Sequence, residues 1–203
     1  MDTNSAITVL YFGDSITAGF NLPPEAVWPS LVEKASQGKF RAINEGLGGR
    51  PTDSLTDFQL ALQKHGDGYD LMVIALGGND ARDISGNCVP NALKNIREMI
   101  ALTRAARPGI PILLVGPTNI NKDCLGPTKP IANERDQNLR DLNAAYEKLA
   151  WELSCYFVSL YGVIPPASLT VDGVHPDAEG NRPIAAKMLE ALEKIDGLKT
   201  PSS

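Results

Sequence analysis

Five short apolar runs, separated by longer stretches with helical spacing, constrain the fold of this 203-residue chain more than any other feature. The runs are Ile7–Phe12, Phe40–Glu45, Leu71–Leu76, Pro111–Val115 and Cys155–Leu160. A glycine follows each of the first four runs, as expected where a strand ends in a turn. Buried strands that alternate with helices predict an α/β fold with a five-stranded parallel sheet.

Between these runs, apolar residues recur at the three- and four-residue spacing of amphipathic helices. They form four sets: Leu55, Phe58 and Leu62; Leu93, Ile96 and Ile100; Leu139, Leu142, Tyr146, Leu149 and Leu153; Ile184, Met188, Leu192 and Ile195. We expect these faces to pack into the core rather than to form binding grooves. The segment Pro117–Pro130, which contains three prolines, is predicted to be a long loop after the fourth strand.

The size and composition of the chain indicate one globular domain. Hydrophobic residues make up 43% and charged residues 21%, both close to the averages for globular proteins. We therefore predict a single domain over residues 1–203, with frayed tails at residues 1–6 and 197–203.

Charge and cysteine content narrow the functional classes. The net charge is −5 and no basic cluster occurs, which argues against nucleic-acid binding. Since we find neither a membrane-spanning run nor a signal sequence, we expect a cytoplasmic protein, or an exported one whose signal peptide the sequence lacks. The three cysteines, Cys88, Cys124 and Cys155, do not have zinc-site spacing, and we expect no metal and no other cofactor. The oligomeric state stays open.

Glycines and polar side chains collect directly after the predicted strands. Gly13-Asp14-Ser15 follows the first strand, Gly46–Arg50 the second and Gly77–Asp80 the third, while Asp172–His175 lies in the loop after the fifth. Parallel sheets bind ligands beyond the carboxyl ends of their strands, so we expect these blocks to meet at one edge of the sheet.

A serine nucleophile needs a base, and only two histidines, His65 and His175, can supply an imidazole. His65 ends a predicted helix, where we expect a solvated cation. His175 follows Asp172 by three residues, a spacing that lets a carboxylate orient the ring. The same pair could instead form only an Asp-Gly turn before the last helix.

Acyl transfer also needs hydrogen-bond donors for the oxyanion that forms during the reaction. The backbone N–H of Gly49 is a candidate because a residue without Cβ lets a ligand approach the backbone. The side-chain amide of Asn79 is a second candidate, although its Gly-Gly-Asn-Asp context also fits a simple turn.

In this order, the four blocks resemble those of the SGNH, or GDSL-type, hydrolase superfamily. The similarity rests on Phe12–Ile16, with isoleucine in place of the usual leucine, on the glycine block that ends at Gly49, on Gly78–Asp80 and on Asp172–Pro176. It covers nearly the whole chain, from residue 10 to about residue 176. The isoleucine replaces one apolar residue by another and leaves the resemblance intact.

The resemblance implies a three-layer, flavodoxin-like sandwich with a catalytic triad. In such a site Ser15 would be the nucleophile, His175 the base and Asp172 the acid that orients it. The oxyanion hole would consist of the Ser15 N–H, the Gly49 N–H and the Asn79 side chain. The resemblance thus implies a serine esterase or acylhydrolase that cleaves small-molecule carboxylic esters and thioesters through an acyl-enzyme intermediate.

A finer resemblance points to one branch of this superfamily. Gly13–Gly19 followed by Trp28-Pro29, together with Asn44–Thr52, is most similar to the arylesterase, thioesterase and lysophospholipase branch. Related chains include sugar deacetylases, so a carbohydrate O-acetylesterase is the alternative. We expect Trp28 to be a packing residue and Asp14 to hold loops by hydrogen bonds.

Two other classes fit the residues less well. A metal-dependent phosphoesterase needs several histidine and aspartate ligands, and this chain has one well-placed histidine. A non-catalytic binding module is disfavoured because Ser15, Asn79 and His175 are all present.

Three loops are expected to supply the walls of the substrate site, without a choice of individual binding residues. Their residues are Phe20, Leu22, Pro23 and Pro24, then Arg82–Val89, then Thr118–Pro130. Cys88 and Cys124 lie in the second and third loops, and a disulfide between them is possible if their Cα atoms come within about 7 Å. The alternative is three free thiols in a cytoplasmic enzyme.

Overall fold

A computed structural model describes residues 6–196 and residue 198 of the chain. The strands in this part are β1 (Ile7–Gly13), β2 (Phe40–Gly46), β3 (Leu71–Ala75), β4 (Ile112–Gly116) and β5 (Tyr156–Ser159). The α-helices are α1 (Ser15–Ala18), α2 (Trp28–Ala35), α3 (Leu55–His65), α4 (Cys88–Ala106), α5 (Ala132–Glu152) and α6 (Ala178–Glu193). Each strand lies within about one residue of the run that predicts it.

All five strands are parallel, in the order β2-β1-β3-β4-β5. The predicted α/β fold with a flavodoxin-like sheet is therefore confirmed. In the ladder, Gly13 of β1 pairs with both Gly46 of β2 and Ala75 of β3. Since these three strands end at the same level, the segments that follow them start side by side.

Helices cover both faces of the sheet because alternate strand residues point to opposite sides. Leu10 and Phe12 of β1 belong to the core cluster shared with α3, α4 and α5. Val9 and Tyr11 belong to the cluster shared with α2 and α6. The expected three-layer sandwich results, and the predicted apolar helix faces pack into these two clusters.

The sequence analysis assigned no helix to α2, although Trp28, Leu31 and Val32 have the i, i+3, i+4 spacing of a helix face. Pro29 lies in the first turn of α2. Backbone N–H groups in a first turn form no hydrogen bond within the helix, so the N–H that proline lacks is not missed there. Trp28 is buried and packs edge-on against Tyr11, with ring centroids 4.9 Å apart. Trp28 is thus a packing residue, as expected.

The segment after β4 contains two 3₁₀ turns, Lys122–Cys124 and Gly126–Ile131, rather than an unstructured loop. All three cysteines are free, so the disulfide considered between Cys88 and Cys124 is not formed. Cys88 is buried at the start of α4 and joins the core beneath that helix, which directs its thiol into the sandwich.

Two further expectations concern the tails of the chain and membrane-spanning segments. Of the tails expected to fray, residues 1–5, 197 and 199–203 lie outside the described residues, whereas Leu198 packs partly buried against the core. Within residues 6–196, the structure contains no helix long and apolar enough to cross a membrane.

Candidate active site

Ser15 stands where β1 passes directly into α1, at the edge where the strands end. Asp14 caps this short helix by accepting a hydrogen bond from the Ile16 amide at 3.0 Å. The backbone of Gly46 presses against the backbone of Ala18, in a space that a Cβ on Gly46 would fill. The ends of β1 and β2 therefore hold the serine-bearing turn in one position.

A chain of hydrogen bonds links Ser15 to the loop before α6. The Nε2 atom of His175 lies 2.8 Å from the Oγ atom of Ser15, and its Nδ1 atom lies 2.5 Å from Oδ2 of Asp172. Oδ1 of Asp172 accepts from the backbone amides of Val174 and His175, both at 2.9 Å. The expected Asp-Gly turn is thus present, and it also presents the histidine ring to Ser15.

The environment keeps Asp172 ionised. Partial burial raises the pKa of this carboxyl, but the hydrogen bonds from His175 and from the Val174 amide outweigh burial and place the pKa below its usual value. One face of the His175 imidazole packs against Phe20, whose ring is stacked on it with centroids 4.2 Å apart. A hydroxyl, an imidazole and an anionic carboxylate in this arrangement can transfer a proton from the serine to the ring.

Three N–H groups border the same cleft as Ser15. Gly49 is in the left-handed backbone region, with φ of 74°, and apart from its two chain neighbours no described residue comes within 4 Å of where its Cβ would be. In the described part of the chain, the N–H groups of Ser15 and Gly49 have no acceptor. The Nδ2 atom of Asn79 donates to the Arg50 carbonyl at 3.1 Å and to Asp14 at a longer 3.4 Å.

Buried polar contacts tie the loops after β1, β2 and β3 together. The guanidinium of Arg50 donates to the Gly13 carbonyl at 2.8 Å and to the Glu45 carbonyl, and it lies over the Phe12 ring. The amide and hydroxyl of Thr52 both donate to Asp80. These contacts set the relative positions of the loops that carry Ser15, Gly49 and Asn79.

Asp14 is buried beneath the site, where it is in contact with Asn79. Burial raises the pKa of this carboxyl to about 6, and hydrogen bonding from the Ile16 amide offsets only part of the effect. The expected role of Asp14, holding loops by hydrogen bonds, agrees with these contacts.

This pKa predicts an unusual pH dependence of stability. Because the folded state favours the neutral carboxyl, Asp14 stabilises the fold below about pH 4, and this contribution is lost as pH rises through about 6. We expect Asp14→Asn, which cannot ionise, to gain about 3 kcal/mol in free energy of unfolding relative to the wild type between about pH 4 and pH 8. Urea unfolding of both proteins across this range measures the difference. If the free energies of unfolding of the two proteins differed by the same amount at every pH, Asp14 would ionise with its ordinary pKa in the folded state.

His65 lies away from this site. Its Nε2 atom is 2.6 Å from Oε1 of Glu45, and its side chain is largely buried rather than solvated as expected. Burial would raise the pKa of Glu45, but the hydrogen bonds from Lys64 and His65 overcome it and lower that pKa. The expectation of a solvent-exposed side chain is therefore wrong, because the end of β2 brings a carboxylate next to the end of α3.

The cleft beside Ser15 has a volume of about 380 Å³. All three predicted loops contribute to its walls, through Phe20, Arg82, Thr118, Ile120, Leu125 and Thr128. The sequence analysis missed Arg135 and Leu139 of α5, which also line it. Arg135 stands between two acidic residues in a charged sequence, and nothing in that pattern distinguishes it from a solvated helix face.

No group of three or more histidine, cysteine, aspartate or glutamate side chains is placed to hold a metal ion in residues 6–196.

Comparisons with known proteins bear on this geometry. A family model described as the GDSL-like Lipase/Acylhydrolase family matches residues 11–182. The chain is 25% identical over 197 residues to the thioesterase 1/protease 1/lysophospholipase L1 of Escherichia coli, covering 94% of this chain and 86% of that protein. It is 27% identical over 194 residues to the arylesterase of Vibrio mimicus, covering 92% of this chain and 88% of that protein.

A solved structure is similar over the whole fold. The crystal structure of a carbohydrate acetylesterase family member from Sinorhizobium meliloti has a TM-score of 0.79 and 29% sequence identity to this chain. The match covers 92% of this chain and 97% of that one.

Proposed function

Because the chain belongs to the GDSL-like Lipase/Acylhydrolase family, it is an ester hydrolase, and we propose that Ser15, His175 and Asp172 form its catalytic triad. The observation that carries this proposal is the unbroken chain of contacts from Ser15 Oγ through the His175 ring to Asp172, at 2.8 and 2.5 Å. These are hydrogen-bond distances, as a nucleophile and its general base require.

In this mechanism the proton of Ser15 Oγ passes to His175 Nε2 while Oγ attacks the carbonyl carbon of the ester. The C=O bond becomes a single bond in a tetrahedral, negatively charged intermediate. When the bond to the leaving oxygen or sulfur breaks, His175 returns the proton to that atom, and the acyl group stays on Ser15. Water then attacks the acyl-enzyme by the same proton transfers, which releases the acid and restores the serine.

The proposed oxyanion hole consists of the Ser15 N–H, the Gly49 N–H and the Asn79 side-chain amide. The first two donors have no acceptor in the described part of the chain, so they can bind an oxyanion without breaking a bond. Asn79 must exchange its long 3.4 Å contact with Asp14 for the oxyanion. A bond of that length is weak, so a developing negative charge can replace it.

We expect Asn79→Ala to lower kcat roughly a hundred- to a thousandfold with little change in KM, because the amide contacts charge that develops only in the transition state. Steady-state kinetics on a p-nitrophenyl ester measures both constants. Asn91→Ala, an exposed change on α4, is the control for a generic effect of the substitution. A loss confined to KM would instead make Asn79 a residue that binds the ground-state substrate.

Covalent labelling tests the nucleophile directly. We expect a serine-directed phosphonate to add one phosphonyl group to the wild type, on the peptide that contains Ser15, and to inactivate the enzyme. Insensitivity to the phosphonate combined with inactivation by a chelator would contradict the proposal and favour a metal-dependent esterase.

For the substrate we propose small carboxylic esters and thioesters, with acetylated carbohydrates as the second candidate. The names of the Escherichia coli and Vibrio mimicus relatives support the first class, and the similarity to the carbohydrate acetylesterase family member supports the second. A panel of p-nitrophenyl esters from acetyl to palmitoyl, with an acyl thioester and an acetylated xylose, decides between them. Activity confined to the acetylated sugar would overturn the first choice.

A further inference from the structure

Arg135 is a buried cation that has no ion-pair partner in the described part of the chain. The residue is 4% exposed and stands in the first turn of α5, yet it lines the cleft that contains Ser15. Its Nη2 atom donates to the Gly78 carbonyl at 3.3 Å, and its Nε atom is buried without a partner. No carboxylate in the described residues forms an ion pair with it.

Arg50, the other buried arginine, shows how the fold otherwise stabilises such a group. Arg50 donates to two backbone carbonyls, lies over an aromatic ring with its guanidinium carbon 4.0 Å from the ring centroid, and is 3.8 Å from the carboxylate of Asp57. The Nε atom of Arg50 also lacks a hydrogen bond. Arg135, however, has only the Gly78 carbonyl contact, where Arg50 has two carbonyls, an aromatic ring and a nearby carboxylate. Burying a cation without a counter-charge opposes folding, so a partner from outside the chain would stabilise what the fold leaves unpaired.

The other charged groups that border the cleft do not supply that partner. Arg82 also lines the cleft and donates to Asn79, so a second positive charge lies on the same wall. Asp172 is engaged by His175 and by two backbone amides. Asp14 lies below the site, bonded to the Ile16 amide, and forms no ion pair with Arg135 in the described residues.

The pKa of Arg135 is consistent with an uncompensated charge. Burial lowers this pKa, and the nearby charge of Arg82 lowers it further. Asp172 and Asp14 act in the opposite direction without cancelling the effect.

We propose that Arg135, with Arg82 beside it, forms an anion subsite in the cleft, and that the enzyme prefers esters bearing a carboxylate or phosphate group close to the scissile bond. This inference rests on the proposed function of Ser15 and adds a substrate class to it. The planar guanidinium suits both kinds of anion, because each presents oxygen atoms in a geometry that an arginine can bind with two hydrogen bonds.

Three acetate esters that release a para-substituted phenol test the proposal. They are 4-acetoxybenzoate and 4-acetoxyphenyl phosphate, which are anionic, and 4-acetoxybenzamide, which is neutral. For each enzyme the readout is the ratio of kcat/KM for an anionic ester to kcat/KM for the neutral one. We expect Arg135→Met to lower this ratio about ten- to a hundredfold, mainly through KM, for whichever anion the subsite takes.

Two further variants test whether the effect depends on the charge of Arg135 and on its position. Arg135→Lys retains a positive charge and should keep part of the ratio. Arg97→Met removes the same charge from an exposed ion pair on α4 and should leave the ratio unchanged. A merely structural Arg135 predicts a lower melting temperature for Arg135→Met and equal losses on all three esters, which would overturn the proposal.

A binding measurement separates failure of the subsite from failure of the proposed catalytic function. Calorimetry with benzoate and with inorganic phosphate, on Ser15→Ala and on Ser15→Ala/Arg135→Met, requires no turnover. We expect at least one anion to bind the single variant at least about tenfold more tightly than the double variant. Equal binding overturns the subsite even if the esters are cleaved. Selective binding supports it even if Ser15 is not the nucleophile.

Discussion

Replacing Ser15 with alanine should lower kcat by about four to six orders of magnitude on any ester that the enzyme cleaves. The members of a catalytic triad act as a unit, so removal of the nucleophile leaves only the contribution of the oxyanion donors and of substrate binding. The Oγ atom lies 2.8 Å from the ring that would take its proton, and no other serine hydroxyl is bonded to His175 in the described part of the chain.

The fold should survive this change, because alanine favours the helical conformation of α1 and the Asp14 cap is unaffected. Thermal unfolding and far-ultraviolet circular dichroism check this. Ser30→Ala, a change of the same size on α2 and outside the cleft lining, serves as the kinetic control. Retention of a tenth of the wild-type rate by Ser15→Ala would rule out Ser15 as the nucleophile.

Replacing His175 with glutamine should be nearly as damaging, with a loss of about four orders of magnitude or more in kcat. Glutamine can still form hydrogen bonds to Ser15 and Asp172, but it cannot accept the serine proton at neutral pH. The rate of phosphonate labelling at Ser15 should fall in parallel, because attack on the phosphonate needs the same base.

The chain supplies a matched control for this experiment in its second histidine. His65→Gln removes an imidazole that is hydrogen-bonded to Glu45 and does not line the cleft, so activity should change less than about twofold. Assays of both variants on one ester, below their melting temperatures, provide the comparison. Loss of activity in His65→Gln with retention in His175→Gln would show that His65, and not His175, is the base.

The strands were predictable because strands covered on both faces are apolar along their whole length. The runs at β1 and β3 are of this kind, and their ends agree with the structure to within one residue. Helix α2 was missed although Trp28, Leu31 and Val32 have helical spacing. Its position in the fold depends on the packing of Trp28 against Tyr11, a contact between distant parts of the fold.

The sequence by itself determined which chemical groups follow each strand, and so which residues could meet at the edge of the sheet. Gly13-Asp14-Ser15 and Asp172–His175 are local patterns whose chemistry can be judged from residue type and spacing alone. Parallel topology then requires that the ends of β1, β2 and β3 adjoin one another. Local patterns therefore made Ser15 and His175 candidates, and the resemblance to the SGNH superfamily implied that they act as partners.

Only the tertiary structure decided where each charge finds its counter-charge. His65 was expected in solvent, but β2 places Glu45 against it, 20 residues away along the chain. Arg135 has the same residue type as the solvated Arg97, yet α5 buries it in the wall of the cleft without a carboxylate. Burial and pairing depend on neighbours that are distant in sequence, and these set the electrostatic energy of a charged group, so residue type and spacing could not reveal them.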